Sequence, residues 1–183
     1  GDSLLSGRPV AAELGDRIGL TLHLAVMSLI IALVIALPIG VISAIRQDTA
    51  ADYGGRLFSI LGLSLPDFWT GVVAVLILSL WFHWLPPRGF EEIWVSPIKV
   101  FQQLSIPAAI IGFRFSAIIM RMTRSSMLEV LREDYMRTAR SKGLSERVVL
   151  TRHGLKNAFL PILTITGWQF ARLFEGTVII ETI

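Results

Sequence analysis

Few residues of this chain could do chemistry. It has no cysteine and three histidines, and most of its 14 carboxylates stand at loop positions. An enzyme needs acids, bases or nucleophiles converging on one reacting atom, and the sequence shows no such set. The lack of cysteine removes a disulfide framework and a thiolate metal site, and no metal ligand set is expected. No GxxxxGK[ST] run is present to cradle a nucleotide phosphate. What remains is charge in unusual places. Arg114, Arg172 and Glu175 stand inside apolar runs, where an ionisable group is by default a candidate for a solute path. Arg114 could line such a path, or snorkel its head to an interface. Arg172 and Glu175 are three residues apart on one helix face, where they neutralise each other. Asp67, after Pro66, reads as a helix cap, and His23 as a structural or interfacial group.

The second concentration of charge is Asp134–Pro161, DYMRTARSKGLSERVVLTRHGLKNAFLP. The elements that must hold it are long and oily. Of the 183 residues 53% are hydrophobic and 17% charged, with mean hydropathy +0.64; soluble domains carry about 25% charge. The excess lies in runs near the ~20 residues that span a bilayer as helix. The chain is therefore expected to be an all-α, polytopic membrane protein forming one transmembrane domain over 1–183. Four spans are expected, at about 20–45, 57–84, 106–120 and 159–180, with a loop at 121–158. Pro38 and Gly40 are expected to kink the first, and Pro107 to sit in the first turn of the third. The opening GDSLLSGRPV lacks a basic stretch followed by an apolar core, so it does not read as a signal peptide.

Charge orients these spans. Residues 121–158 hold nine Lys and Arg against four acids, a net +5, and the rest of the chain is net −2. The positive-inside rule puts this loop in the cytoplasm. Alternation puts the link around Gln47–Gly55 on the same side and both chain ends outside.

Within the loop, Met127, Leu131, Tyr135 and Ala139 recur every four residues as one helical stripe. Arg140 and Lys142 suit a helix C-terminus, Gly143 suits the left-handed residue after it, and Ser145 can cap a second helix with Glu146 in its first turn. The second helix carries Val148, Leu155 and Phe159. The loop thus reads as helix, glycine turn, helix. Three uses fit that pattern: an ordinary basic cytosolic loop, a DNA-binding helix-turn-helix, or a docking element for a cytoplasmic partner. Two flanking spans and the interspersed carboxylates count against DNA, and no nucleic-acid partner is expected.

A resemblance separates the other two. REDYMRTARSKGLSERVVLTRHGLKNAFLP resembles the cytoplasmic signature loop of binding-protein-dependent ABC importer permeases, in the dipeptide, oligopeptide and nickel branch. The general signature is Glu-Ala-Ala, three residues, Gly, nine residues, Ile-x-Leu-Pro. Anchored on Gly143, it is matched at Ala139 and Leu155 and departs at Arg137, Thr138, His153 and Lys156. RTARSKGLSE, then Arg-His, then Asn-Ala-x-x-Pro is the form of the peptide branch. SGRPVAAELGDRIGLTLHLAV, LGLSLPDFWTGVV and GTVIIETI resemble other parts of that branch, most closely its B-type subunit, so the resemblance covers nearly the whole chain.

The resemblance implies a type I ABC importer permease fold, with four of six transmembrane helices in this stretch. It implies a multi-pass protein of a bacterial or archaeal cytoplasmic (inner) membrane importing di- or oligopeptides; nickel and glutathione permeases look the same. It implies a second homologous permease subunit, two ATP-binding subunits and an extracytoplasmic substrate-binding protein as partners. ATP and Mg would be bound by the ATPase subunits, so this chain is expected to hold no cofactor and not to be an enzyme. Arg137, Thr138, Ala139, Gly143, Leu144, Ser145 and Glu146 would form the ATPase-coupling contact, with Gly143 at its turn and Glu146 meeting a basic residue of the ATPase. The residues alone leave two rivals open: a stand-alone secondary carrier, which would need internal repeats and coupling-ion residues, and a membrane-tethered regulator.

Overall fold

The computed structural model describes residues 10–83 and 97–180, and among these every regular element is a helix. In chain order they are α1 Val10–Ile45, α2 Ala50–Ser64, α3 Asp67–Phe82, α4 Pro97–Leu131, α5 Asp134–Ser141, α6 Glu146–Val148, a π-helical segment Val149–Leu155, and α7 Lys156–Ile180. Among the described residues two segments are long and apolar enough to cross a membrane, Ile18–Ile45 and Val100–Leu131; α2 and α3 make a third if counted as one broken span.

The frame is the parallel pair α1 and α4. Met27 lies near Leu104, Ser28 beside Gly112, and Gly40 against Met120 and Thr123, so both helices run the same way. Small residues let them approach. A Cβ on Gly40 would stand 2.7 Å from the Thr123 Cβ, and one on Gly112 would stand 2.9 Å from the Ser28 carbonyl oxygen. Ala25, Ala32, Ala36 and Ala108 are fully buried, as membrane helix contacts built on small residues require. Between them Phe115, Ile119, Met120 and Met127 form the core, with Ala158 and Ile162 of α7 completing it. The α2 helix crosses α4 antiparallel: a Cβ on Gly62 would lie 2.6 Å from the Ala117 Cβ, and Phe58 packs edge-on against Phe113 at 5.2 Å. Exposed apolar side chains such as Val34, Leu57, Phe68, Leu80 and Leu160 face outward, as lipid contact requires.

Several boundaries differ from those the sequence suggests. The described part of the run 57–84 is two helices, since Leu65 and Pro66 are extended and bend α3 away from α2 by 100°. The N-cap of α3 is Pro66 rather than Asp67, which is its first helical residue; proline fixes φ and disfavours helix in the residue before it. The helix around 106–120 extends to both sides, from Pro97 to Leu131, so Pro97 takes the first-turn place and Pro107 lies inside. Proline there removes one ladder hydrogen bond without ending the helix. Pro38 is likewise internal, and α1 continues through it to Ile45. Residues 84–96 and the chain ends fall outside the described residues.

Candidate functional site

The basic loop is built on a turn that only a few residues could make. The stripe from Met127 to Ala139 is not one helix. α4 ends at Leu131, where the Arg132 and Glu133 amides donate to the Glu129 and Val130 carbonyls, and Glu133 becomes extended. α5 then starts afresh. It ends on Gly143 at φ +75°, whose amide donates to the Arg140 carbonyl at 2.9 Å. This is the left-handed turn its glycine suggests. Ser145 is the extended residue before α6, as expected, and caps it through backbone only. Across the turn, Arg140 donates from Nε and Nη2 to both oxygens of Glu146, at 3.2 and 3.0 Å. The guanidinium holds the Glu146 carboxyl below the usual carboxylate range, against a smaller opposing effect of burial, and the same contact raises Arg140.

Beneath the turn lies a small core. Met136, Ala139 and Val149 are buried together against Val130 and Leu131 of α4. Gly154 in the π-helical segment lets the loop sit on Met127, whose Cε would be 3.4 Å from an added Cβ. α5 and the π-helical segment are therefore seated on the foot of α4 and do not hang free of it.

A second polar assembly lies at the same end of the bundle. Asp52 on α2 is fully buried. Its Oδ1 accepts from Ser43 Oγ on α1 and from Arg124 Nε on α4 at 2.6 Å. Its Oδ2 accepts from Arg124 Nη2 at 2.9 Å, Arg56 Nη2 at 2.6 Å and the Asp48 amide at 3.0 Å. Arg124 thus makes a bidentate fork, the strongest form of such a pair. Arg56 also reaches Asp48 Oδ1 at 3.1 Å. Burying a carboxylate is costly unless it is paired and fully hydrogen-bonded, and removing one partner of such a pair destabilises by roughly 3–5 kcal/mol. Asp48 itself is left-handed, at φ +60°, which places its amide over the carboxylate.

A family model for the binding-protein-dependent transport system inner membrane component matches residues 36–183. The chain belongs to this family. The match contains α2, α4, the basic loop and α7 entirely, with both polar assemblies. Among curated relatives of this chain, a Brucella suis protein named for a peptide transport system permease is 38% identical over 183 residues, all of the chain and 58% of the relative. The oligopeptide transport system permease protein of Bacillus subtilis is 40% identical over 180 residues, 97% of the chain and 57% of the relative. A glutathione transport system permease protein of Salmonella choleraesuis is 37% identical over 183 residues, all of the chain and 57% of the relative. The chain therefore spans little more than half the length of the relatives it matches.

The loop residues that the resemblance marks do not share one face. Arg137, Thr138, Leu144, Ser145 and Glu146 are exposed around Gly143. Ala139 is turned inward at 6% exposure, because it falls on the buried side of α5 with Met136. Glu146 meets the chain's own Arg140. In the spans, Arg114 is half-buried in α4, and Arg172 is exposed on α7. Glu175 is in α7, but its side chain is outside the described residues, so the Arg172–Glu175 pairing is too. His23 bonds through Nδ1 to the Gly19 carbonyl of its own helix at 2.6 Å, which fits a structural role. Asp52 is not among the residues that the sequence marks. Its one sequence signal is the acid-then-base spacing to Arg56, four residues on, which favours a helix pair; Arg124 is 72 residues away and gives none.

Proposed function

We propose that this permease chain is the pore-forming subunit of an ATP-driven importer of di- or oligopeptides, moved by ATPase subunits through its basic loop. Family membership carries the reading: the match includes the whole loop, and relatives at 37–40% identity are named for peptide, oligopeptide and glutathione transport. Those names share a peptidic solute, which favours that class over nickel. The partners are a second permease, two ATPase subunits and an extracytoplasmic binding protein. The geometry suits the role. A short helix, a tight left-handed turn and a continuous helical return, seated on the foot of α4, form a stiff element that passes on rigid-body motion. Arg137, Thr138, Leu144 and Ser145 are the exposed residues that would meet the ATPase, with Glu146 held beside them by Arg140; Ala139 would set how closely α5 packs on its own chain, and Gly143 the turn. ATP chemistry belongs to the partner subunits.

The test is cross-linking. Cysteine is placed at Ser145 in the full-length subunit, with no other cysteine present, and co-expressed with the ATPase subunits. A bifunctional thiol reagent should join the two chains, in a yield that changes with ATP. A cysteine that never meets an ATPase would sink the coupling role and return the segment to an ordinary basic loop.

A further inference from the structure

We infer that Asp52 is a positioning residue of the transport cycle: its carboxylate joins the ends of α1, α2 and α4 into one body, so that displacement of the basic loop reaches α2 and is not absorbed at the foot of α4. The inference rests on the permease reading above.

Four segments supply donors to one buried carboxylate. Ser43 comes from the end of α1, the Asp48 amide from the α1–α2 turn, Arg56 from α2 and Arg124 from α4. Five donated hydrogen bonds fill the roughly four lone-pair sites a carboxylate offers. None of these segments can shift alone without leaving a buried charge short of a partner. Arg124 stands seven residues before the end of α4, about two helical turns. Below it the contacts are continuous. Met127 is packed against Gly154 of the π-helical segment, and Val130 and Leu131 are packed against the core of Met136, Ala139 and Val149. Above it, Ser59 Oγ donates to Met120 Sδ at 2.9 Å, and the crossing at Gly62 and Ala117 binds α2 closely to α4. A push on α5 therefore meets packed side chains up to Arg124, and at Arg124 it meets an ion pair with fixed geometry.

The cluster is more than packing. Apolar residues of similar volume often replace a buried ion pair without loss of stability. What they would not replace is the forked, directional hold of Arg124 on one carboxylate, which resists sliding of α4 past α2. That is the property the inference assigns to transport.

The experiment uses the full-length subunit assembled with its partner permease, ATPases and binding protein in proteoliposomes. ATP hydrolysis and solute uptake are measured on the same preparation, with the amount of assembled complex. The variants are Asp52→Asn, Arg124→Gln and Arg124→Lys; the last keeps the charge and loses the fork. The expected result is assembly in normal subunit ratio, binding-protein-stimulated hydrolysis retained, and uptake per ATP lowered about tenfold, with Arg124→Lys between the others and wild type. Unchanged uptake per ATP in all three would overturn the inference. So would loss of assembly in all three, since the cluster would then serve folding alone. Absence of binding-protein-stimulated hydrolysis in the wild type would instead overturn the permease reading, and the inference with it.

Discussion

At the scale of single residues, the turn at Gly143 makes the sharpest demand on sequence. Its φ of +75° lies in the left-handed region, and an added Cβ would meet nothing within 4 Å. Any penalty for a side chain there is therefore backbone strain alone, about 1–2 kcal/mol for an L-residue. Gly143→Ala should raise opening of the loop by about fivefold or more, read as the rate of tryptic cleavage after Arg140 and Lys142 in inside-out vesicles. Gly143→Asn should fall between Ala and wild type, because asparagine tolerates the left-handed region. Equal cleavage in all three would remove the turn from the loop's stability. The Arg140–Glu146 pair adds a pH dependence. Glu146 titrates below its ordinary value, so its contribution is present above the unfolded value of about 4.3 and is lost as pH falls through the lower folded value. Spin labels at Arg137 and Arg147 should keep a narrow distance distribution at neutral pH and broaden only below the ordinary glutamate range. Glu146→Gln should show that same modest broadening already at neutral pH. The pair is half-exposed, so its effect on stability stays small, below about 1 kcal/mol. The turn was legible because glycine after a basic helix end has one physical use. The pairing of Glu146 was not, because a carboxylate six residues from an arginine has no helical register with it.

At the scale of elements, the long helices are held by missing side chains as much as by present ones. Gly112 faces the Ser28 carbonyl, with backbone 2.9 Å from where a Cβ would stand, and a peptide carbonyl cannot rotate away as a side chain does. Gly112→Leu should force α1 and α4 apart, destabilising the assembled subunit by about 1–3 kcal/mol. Gly54, exposed on α2 with nothing within 4 Å, is the control: Gly54→Ala should leave stability unchanged or raise it by roughly 0.5–1 kcal/mol through helix propensity. Thermal unfolding of the purified complex in detergent compares them. A neutral Gly112→Leu would show that the α1–α4 crossing is loose. The existence and apolar character of these helices were legible from composition. Their ends were less so. Nothing in the four-residue stripe from Met127 to Ala139 announces the break at Arg132 and Glu133, because the hydrophobic period carries straight across it. The π-helical segment was hidden for the same reason: Val148, Leu155 and Phe159 keep nearly the same face whether the turns between them are α or π.

At the scale of the whole molecule, the structure and the charge distribution bear on topology by different routes. The positive-inside argument compares residues 121–158, net +5, with the rest of the chain, net −2. It assigns the Gln47–Gly55 link to the same side only by counting spans. The Asp52–Arg124 fork needs no counting: a carboxylate from the link's edge of α2 and a guanidinium from the foot of α4 meet at 2.6 Å, so both lie at one end of the bundle. The parallel run of α1 and α4, and the antiparallel run of α2, place Gln47 and Ser141 at that end and the α1 residue Ile18 at the other. Single cysteines at Gln47, Ser141 and Ile18 test this, since all three positions are exposed. In right-side-out vesicles a membrane-impermeant thiol reagent should label only the cysteine at Ile18, and in inside-out vesicles only the other two. Labelling of all three cysteines in the opposite sense would invert the chain and place the basic loop where no ATPase could reach it. Labelling of Gln47 and Ser141 from opposite sides would contradict the fold itself, because the ion pair could then not form.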